Sequence, residues 1–166
     1  MKYLVRDKIF AIGDDYWIED EQGRHAFLVD GKALRLRDTL ELKDPTGLVL
    51  ITLRKKLFSL RDAMTIERGE STLATIRKKR LSLLRNHYRV TLLEGTELDV
   101  SGRILDREFV VEYDGELLAH ISRQWFHIRE TYAVNVVRED ADVALMIAVA
   151  VCVIRMAERE REGDDD

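Results

Sequence analysis

Asp140–Met156, DADVALMIAVAVCVIRM, is the stretch whose reading decides the fold. From Val143 to Ile154 it runs twelve residues without a charge, about 18 Å of helix at the standard rise. The hydrocarbon core of a bilayer is roughly 30 Å thick, so the run is too short to span one. A helix apolar on every side belongs inside protein, and the rest of the chain is therefore expected to wrap around it. The predicted helix extends from about Asp140 to Arg159, with Leu145, Ile147, Val149, Val151 and Val153 meeting strands all round.

Working outward, the preceding residues read as short strands. Turn signals recur at Gln22-Gly23, Asp30-Gly31, Pro45-Thr46-Gly47, Arg68-Gly69, Glu94-Gly95, Ser101-Gly102 and Asp114-Gly115, with period-2 apolar alternation between them. That is the pattern of an antiparallel meander. Residues 107–113 and 117–125 read as one hairpin about Asp114-Gly115, with similar hairpins about Asp30-Gly31 and Pro45-Thr46-Gly47. Roughly ten to twelve strands in an open sheet would leave two edges and a long exposed face, both of which closure removes. The fold class expected is mainly β, a closed antiparallel barrel of about twelve strands around a central buried C-terminal helix.

Composition agrees with one globular domain. The 166 residues are 46% hydrophobic, with one Pro and nine Gly, unlike collagen-like or disordered chains. We expect a single domain over residues 1–162 and an acidic disordered tail over 163–166. The one cysteine, Cys152, lies in the apolar run and reads as a small buried hydrophobe rather than a reactive thiol. Charges at Lys2, Arg6, Asp7 and Lys8 interrupt the start where a signal peptide needs an apolar core. A cytoplasmic protein, peripheral to the membrane at most, is the expectation.

An internal echo spaced 68 residues relates Gly47–Lys55 to Gly115–Arg123 as G-x-x-L-x-x-[LI]-x-[KR], and Leu73–Lys78 repeats its last six positions. Either a bulged, twisted strand produces this spacing, or a duplicated unit points its terminal cations toward one rim.

The net charge of −4 is unevenly spread. Between Leu53 and Arg89 eleven basic residues face three acids, a local +8, which leaves −12 elsewhere. Segregation of this kind gives one face a positive potential.

The ordered pieces Val29-Asp30-Gly31-Lys32-Ala33-Leu34, Asp38–Gly47, Leu53–Lys56 and Ala74–Lys79 continue into Tyr113-Asp114-Gly115, Ile121–Trp125, Thr131–Val134 and the apolar helix. Together they resemble the LURP-one-related family, whose superfamily includes the tubby C-terminal domain and the phospholipid scramblases. The resemblance covers nearly the whole chain and implies a closed barrel of about twelve strands around a central helix. Members often carry an acidic residue near the helix end in a pattern like A-I-D; the matching place here is Ile154, so any role of that carboxylate is absent. The resemblance supplies no catalytic centre, though tubby domains bind phosphoinositide head groups.

Other chemistry is thinly signalled. His25, His87, His120 and His127 are scattered without metal-ligand spacing, and no phosphate loop, nucleophile elbow or Cys-His pair is present. No metal, cofactor or catalytic residue is assigned, and with the interior filled by a helix no enzyme is expected. Glu108 and Glu112 read as solvated strand positions. Trp17, Trp125 and Phe126 read as barrel packing, with a membrane-interface anchor as the alternative. The candidate site is the basic rim Arg54, Lys55, Lys56, Arg77, Lys78, Lys79 and Arg80, joined by Arg123. It suggests a non-enzymatic domain whose partner is an anionic phospholipid head group at the membrane surface. Two alternatives stay open: a protein-interaction or structural barrel with no small ligand, its partner unassigned, and a nucleic-acid-binding protein. The acidic remainder and the lack of a nucleic-acid-binding motif speak against the last.

Overall fold

The computed structural model describes residues 1–6, 15–31, 39–56, 62–79, 85–103, 108–126 and 129–164. Twelve strands follow in sequence: β1 (Lys2–Arg6), β2 (Tyr16–Asp20), β3 (His25–Asp30), β4 (Thr39–Lys43), β5 (Val49–Lys55) and β6 (Ala63–Arg68). The second half comprises β7 (Ser71–Lys78), β8 (Arg85–Leu92), β9 (Glu97–Arg103), β10 (Glu108–Tyr113), β11 (Glu116–Phe126) and β12 (Arg129–Val136). Each pairs antiparallel with its neighbour in sequence, and β1 pairs with β12 from Lys2↔Asn135 to Arg6↔Thr131, closing the barrel. No sheet edge is left for another chain to extend.

Among the described residues one helix, α1 (Val143–Asp164), fills the barrel. Every residue from Met146 to Ile154 is buried, as is Met156, against inward side chains such as Ile18, Leu53, Ile76, Val100 and Ile121. Leu145 is only half-buried, at the barrel mouth. The helix begins with the apolar run at Val143, three residues after the expected start at Asp140, because Asp142 caps it: Leu145 N donates to Asp142 Oδ1 at 3.1 Å and Met146 N to Asp142 O at 3.0 Å. Arg68 Nη2, at the end of β6, holds the same carboxylate at 2.8 Å.

The barrel has two unlike ends. At one, which we call the hairpin end, tight turns join β2–β3, β4–β5, β6–β7, β8–β9 and β10–β11. At the far end β5, β7, β9 and β11 finish, and the last turns of α1 arrive. The β10–β11 turn has only two residues between strands, Asp114 at φ 49° and Gly115 at φ 79°, the paired left-handed geometry whose twist suits a hairpin. Two other turn signals stand apart from these turns. Asp30-Gly31 stands at the end of β3, which pairs antiparallel with β4 from Thr39, and residues 32–38 between them lie outside the described residues. Ser101-Gly102 lies inside β9, where Gly102 faces the Phe109 ring of β10.

Four of the five tight hairpins carry a bulge beside the turn. Leu42 pairs with Ile51 and Lys43 with Val49, so Leu50 is the extra residue. By the same count Leu73 is extra in β7, Leu118 in β11 and Ala26 in β3. Leu50, Leu73 and Leu118 are the shared leucines of the sequence echo, and the bulge explains why the leucine and the inward residue three places later do not alternate. Bulges raise local twist, which a closing barrel requires.

Trp17 is not barrel packing: between inward Tyr16 and Ile18, it lies outside, its ring stacked on His25 at 4.1 Å and 5°. The side chains of Trp125 and Phe126 lie outside the described residues.

Candidate cationic site at the far end

The basic strand ends lie together but divide between two faces. In β5, Ile51 and Leu53 point inward, which puts Lys55 on the inner face and Arg54 and Lys56 on the outer. In β7, Ala74 and Ile76 point inward, followed by Lys78, while Arg77 and Lys79 are outside. In β11, Ala119 and Ile121 lead to Arg123, again inward. Arg80 lies outside the described residues.

The inner set meets the helix. Lys78 Nζ is ion-paired with Glu160 Oε1, and Arg159 Nη1 lies 3.9 Å from Asp62 Oδ1, just before β6. Tyr132, the register partner of Arg123, donates its hydroxyl to Glu158 Oε1 at 3.2 Å. The inward cations Lys55, Lys78 and Arg123 therefore share the space around the last turns of α1 with Arg155, Arg159, Glu158 and Glu160. Bases there also complement the negative pole at a helix C-terminus, as Asp142 does the positive pole. Burial pushes the Cys152 thiol up to about 12, against the pull of Arg155 and Arg159, and raises the Tyr16 and Tyr88 phenols well above their ordinary values. Cys152 is thus a protonated, fully buried thiol.

The outer set forms a wall in which cations are interleaved with acids. The chain brings Lys56 beside β6 through Lys56 N to Ala63 O at 2.9 Å, and Arg77 pairs in register with Ala63 on the same strand. Arg77 in turn lies opposite Arg89 of β8. Lys56, Arg77 and Arg103 are exposed. Arg54 is engaged by Glu67 at 2.7 Å, and Lys79 by Asp99 at 2.8 Å. The hydrogen bond from Lys79, with burial opposing it, holds the Asp99 carboxyl below the usual carboxylate range. Arg89 reaches Glu97 at 3.4 Å and Asp99 at 4.0 Å. Register sets Asp99 of β9 opposite Arg89 in turn, while Arg103, outside the linear charge run, lies at the far end of β9 opposite Arg85 of β8. Arg123 stands four strands from β7 in the barrel order, roughly 19 Å round the wall, and is not part of this outer surface.

Among the described residues no group of three or more His, Cys, Asp or Glu side chains is placed to hold a metal ion. No described helix is long and apolar enough to cross a membrane.

Comparison with known proteins agrees with this architecture. The sequence model of the family described as LURP-one-related matches residues 1–154. An uncharacterised protein of Bacillus subtilis (strain 168), YxjI, is 23% identical over 151 residues, covering 91% of this chain and 90% of its own. An X-ray structure of a protein from Arabidopsis thaliana superposes with a TM-score of 0.69 at 21% identity, over 95% of this chain and 90% of that one.

Proposed function

The chain belongs to the LURP-one-related family, and from that premise we propose that it is a non-enzymatic binding domain for anionic phospholipid head groups, seated on the membrane surface by its far end. The observation that carries this reading is the outer wall of β5–β9. There Lys56, Arg77 and Arg103 are exposed at the far ends of β5, β7 and β9, while the barrel's turns at the other end are acidic. A basic residue at an anionic surface contributes about 1 kcal/mol, so Lys56, Arg77 and Arg103 supply at most roughly 3 kcal/mol, a dissociation constant of about 6 mM on their own. Binding is accordingly weak, reversible and screened beyond about 8 Å at physiological ionic strength.

Sedimentation with vesicles tests it. Phosphatidylserine- or phosphoinositide-containing vesicles are expected to carry the protein down at low salt, with the bound fraction falling steeply as salt rises, and phosphatidylcholine alone is not. Lys56→Glu with Arg77→Glu and Arg103→Glu is expected to abolish binding at an unchanged melting midpoint. Displacement by sub-micromolar DNA or RNA would instead favour a nucleic-acid-binding surface. Indifference to both lipid and nucleic acid at low salt would leave the wall as solvated charge.

A further inference from the structure

The described residues expose seven large apolar side chains, and all of them lie at the hairpin end. Leu48 and Val49 stand on one side of that end; Leu93, Tyr113, Leu117, Val137 and Met1 follow one another round the other. Leu93 tips the β8–β9 turn and is 73% exposed. Tyr113 and Leu117 flank the β10–β11 turn, Val137 N donates to Leu118 O at 2.9 Å, and the Met1 ammonium donates to Val136 O at 2.9 Å. From β8 to β1 the barrel order makes five strand steps, roughly 24 Å of rim.

Single exposed apolar residues are ordinary on a protein surface, whereas a contiguous set marks an interaction site. Acids also outnumber bases along this set. Glu94, Asp114, Glu116, Glu139 and Asp140 lie within three residues of it in sequence, three of them directly beside an apolar member. Of the nearby cations, Lys2 adjoins Met1, Arg138 is engaged by Asp140 at 2.5 Å and Glu116 at 3.7 Å, and Arg68 by Asp142 at 2.8 Å. An anionic bilayer is repelled by such a rim, and a cationic polypeptide is attracted to it.

We propose that this rim is a protein-docking surface for a basic segment bearing apolar anchors along one face, a helix of about sixteen residues matching the length of the crescent. It lies on the opposite end of the barrel from the cationic wall, so its occupation neither requires nor excludes lipid binding, and the two tests succeed or fail separately.

The probe is a labelled synthetic peptide of about sixteen residues with Leu at helical i, i+3, i+4 spacing and Lys elsewhere, titrated against the full chain, with a Glu-for-Lys peptide as control. The Lys peptide is expected to bind and to shift the amide resonances of Gly95, Gly115 and Val137, and the Glu peptide is not. Leu93→Ser with Leu117→Ser and Val137→Ser is expected to weaken binding at least about tenfold, as anchor residues do, at an unchanged melting midpoint because all three are exposed. Absence of binding, equal binding by the triple variant, or amide shifts confined to the far end overturns the proposal. So does concentration-dependent self-association that the same three substitutions remove, which would make a second copy the occupant.

Discussion

Gly102 of β9 faces Phe109 of β10 so closely that a Cβ on the glycine would overlap both the Phe109 ring and the Glu108 carbonyl oxygen. Phe109 is 3% exposed and cannot swing outward without leaving the core. Gly102→Ala is therefore expected to destabilise the barrel by about 1–3 kcal/mol through overpacking, read as a lower urea midpoint at constant m-value. An unchanged midpoint would show that the ring yields at no cost.

Removing α1 is expected to abolish folding. Its seven buried Ile, Val and Met side chains, at about 1.5–3 kcal/mol each, match or exceed a typical total stability of 5–15 kcal/mol. A chain ending at Arg138 should show no cooperative melt. Val149, 0% exposed, offers a gentler probe: Val149→Asp introduces an unpaired carboxylate into an apolar site and is expected to prevent recovery of folded protein. A Val149→Asp protein as stable as the parent would mean that this face of α1 meets solvent.

Asp142 does two jobs, capping α1 and engaging Arg68. Asp142→Ala is expected to cost about 1 kcal/mol, the usual worth of an N-cap. Asp142→Asn keeps an accepting oxygen for the Leu145 amide while losing the charge, and is expected to cost only the small increment of an exposed ion pair. Equal losses in thermal melts would assign the stabilisation to the Arg68 pair instead.

Stability should fall in alkali. In the unfolded chain the Cys152 thiol ionises near its ordinary value of 9.0, whereas in the barrel burial pushes it up to about 12. Between those values the unfolded state gives up a proton that the folded state retains, so this group's contribution is complete below about pH 9 and declines as pH climbs toward 12. The raised Tyr16 and Tyr88 phenols act in the same direction. Urea midpoints measured from pH 8 to pH 10.5 should decline, with a shallower slope for Cys152→Ala. A thiol-reactive dye should label Cys152 only as fast as the protein unfolds, and rapid labelling of the native state would contradict its burial.

The helix was legible because twelve uncharged residues in a row admit few fates, and the barrel because Gly-marked turns recur between alternating strands. The echo was legible only as spacing. What it encodes is a bulge: Leu50, Leu73 and Leu118 sit at equivalent hairpin positions, and Lys55, Lys78 and Arg123, five residues on, all turn inward. Parity counted through a regular strand misassigns these faces, because each bulge shifts the alternation by one. For the same reason the basic run looked like a single rim, when Lys78 is tied to Glu160 and Arg77 stands outside beside Arg89. Ser101-Gly102 shows the converse limit. A glycine required by a neighbouring ring has the same sequence signature as one required by a turn.

Closure by β1 against β12 joins residues such as Met1 and Val136 that are 135 positions apart, and the filling of the barrel follows its whole wall in sequence. During synthesis, all twelve strands emerge before the segment that gives their inner faces something to pack on. Contacts of such long range are slow to form, and a growing chain in this state exposes apolar strand faces while it waits. Productive folding is therefore tied to the moment α1 leaves the ribosome, and a pause in translation just before Val143 would hold the chain at its most aggregation-prone.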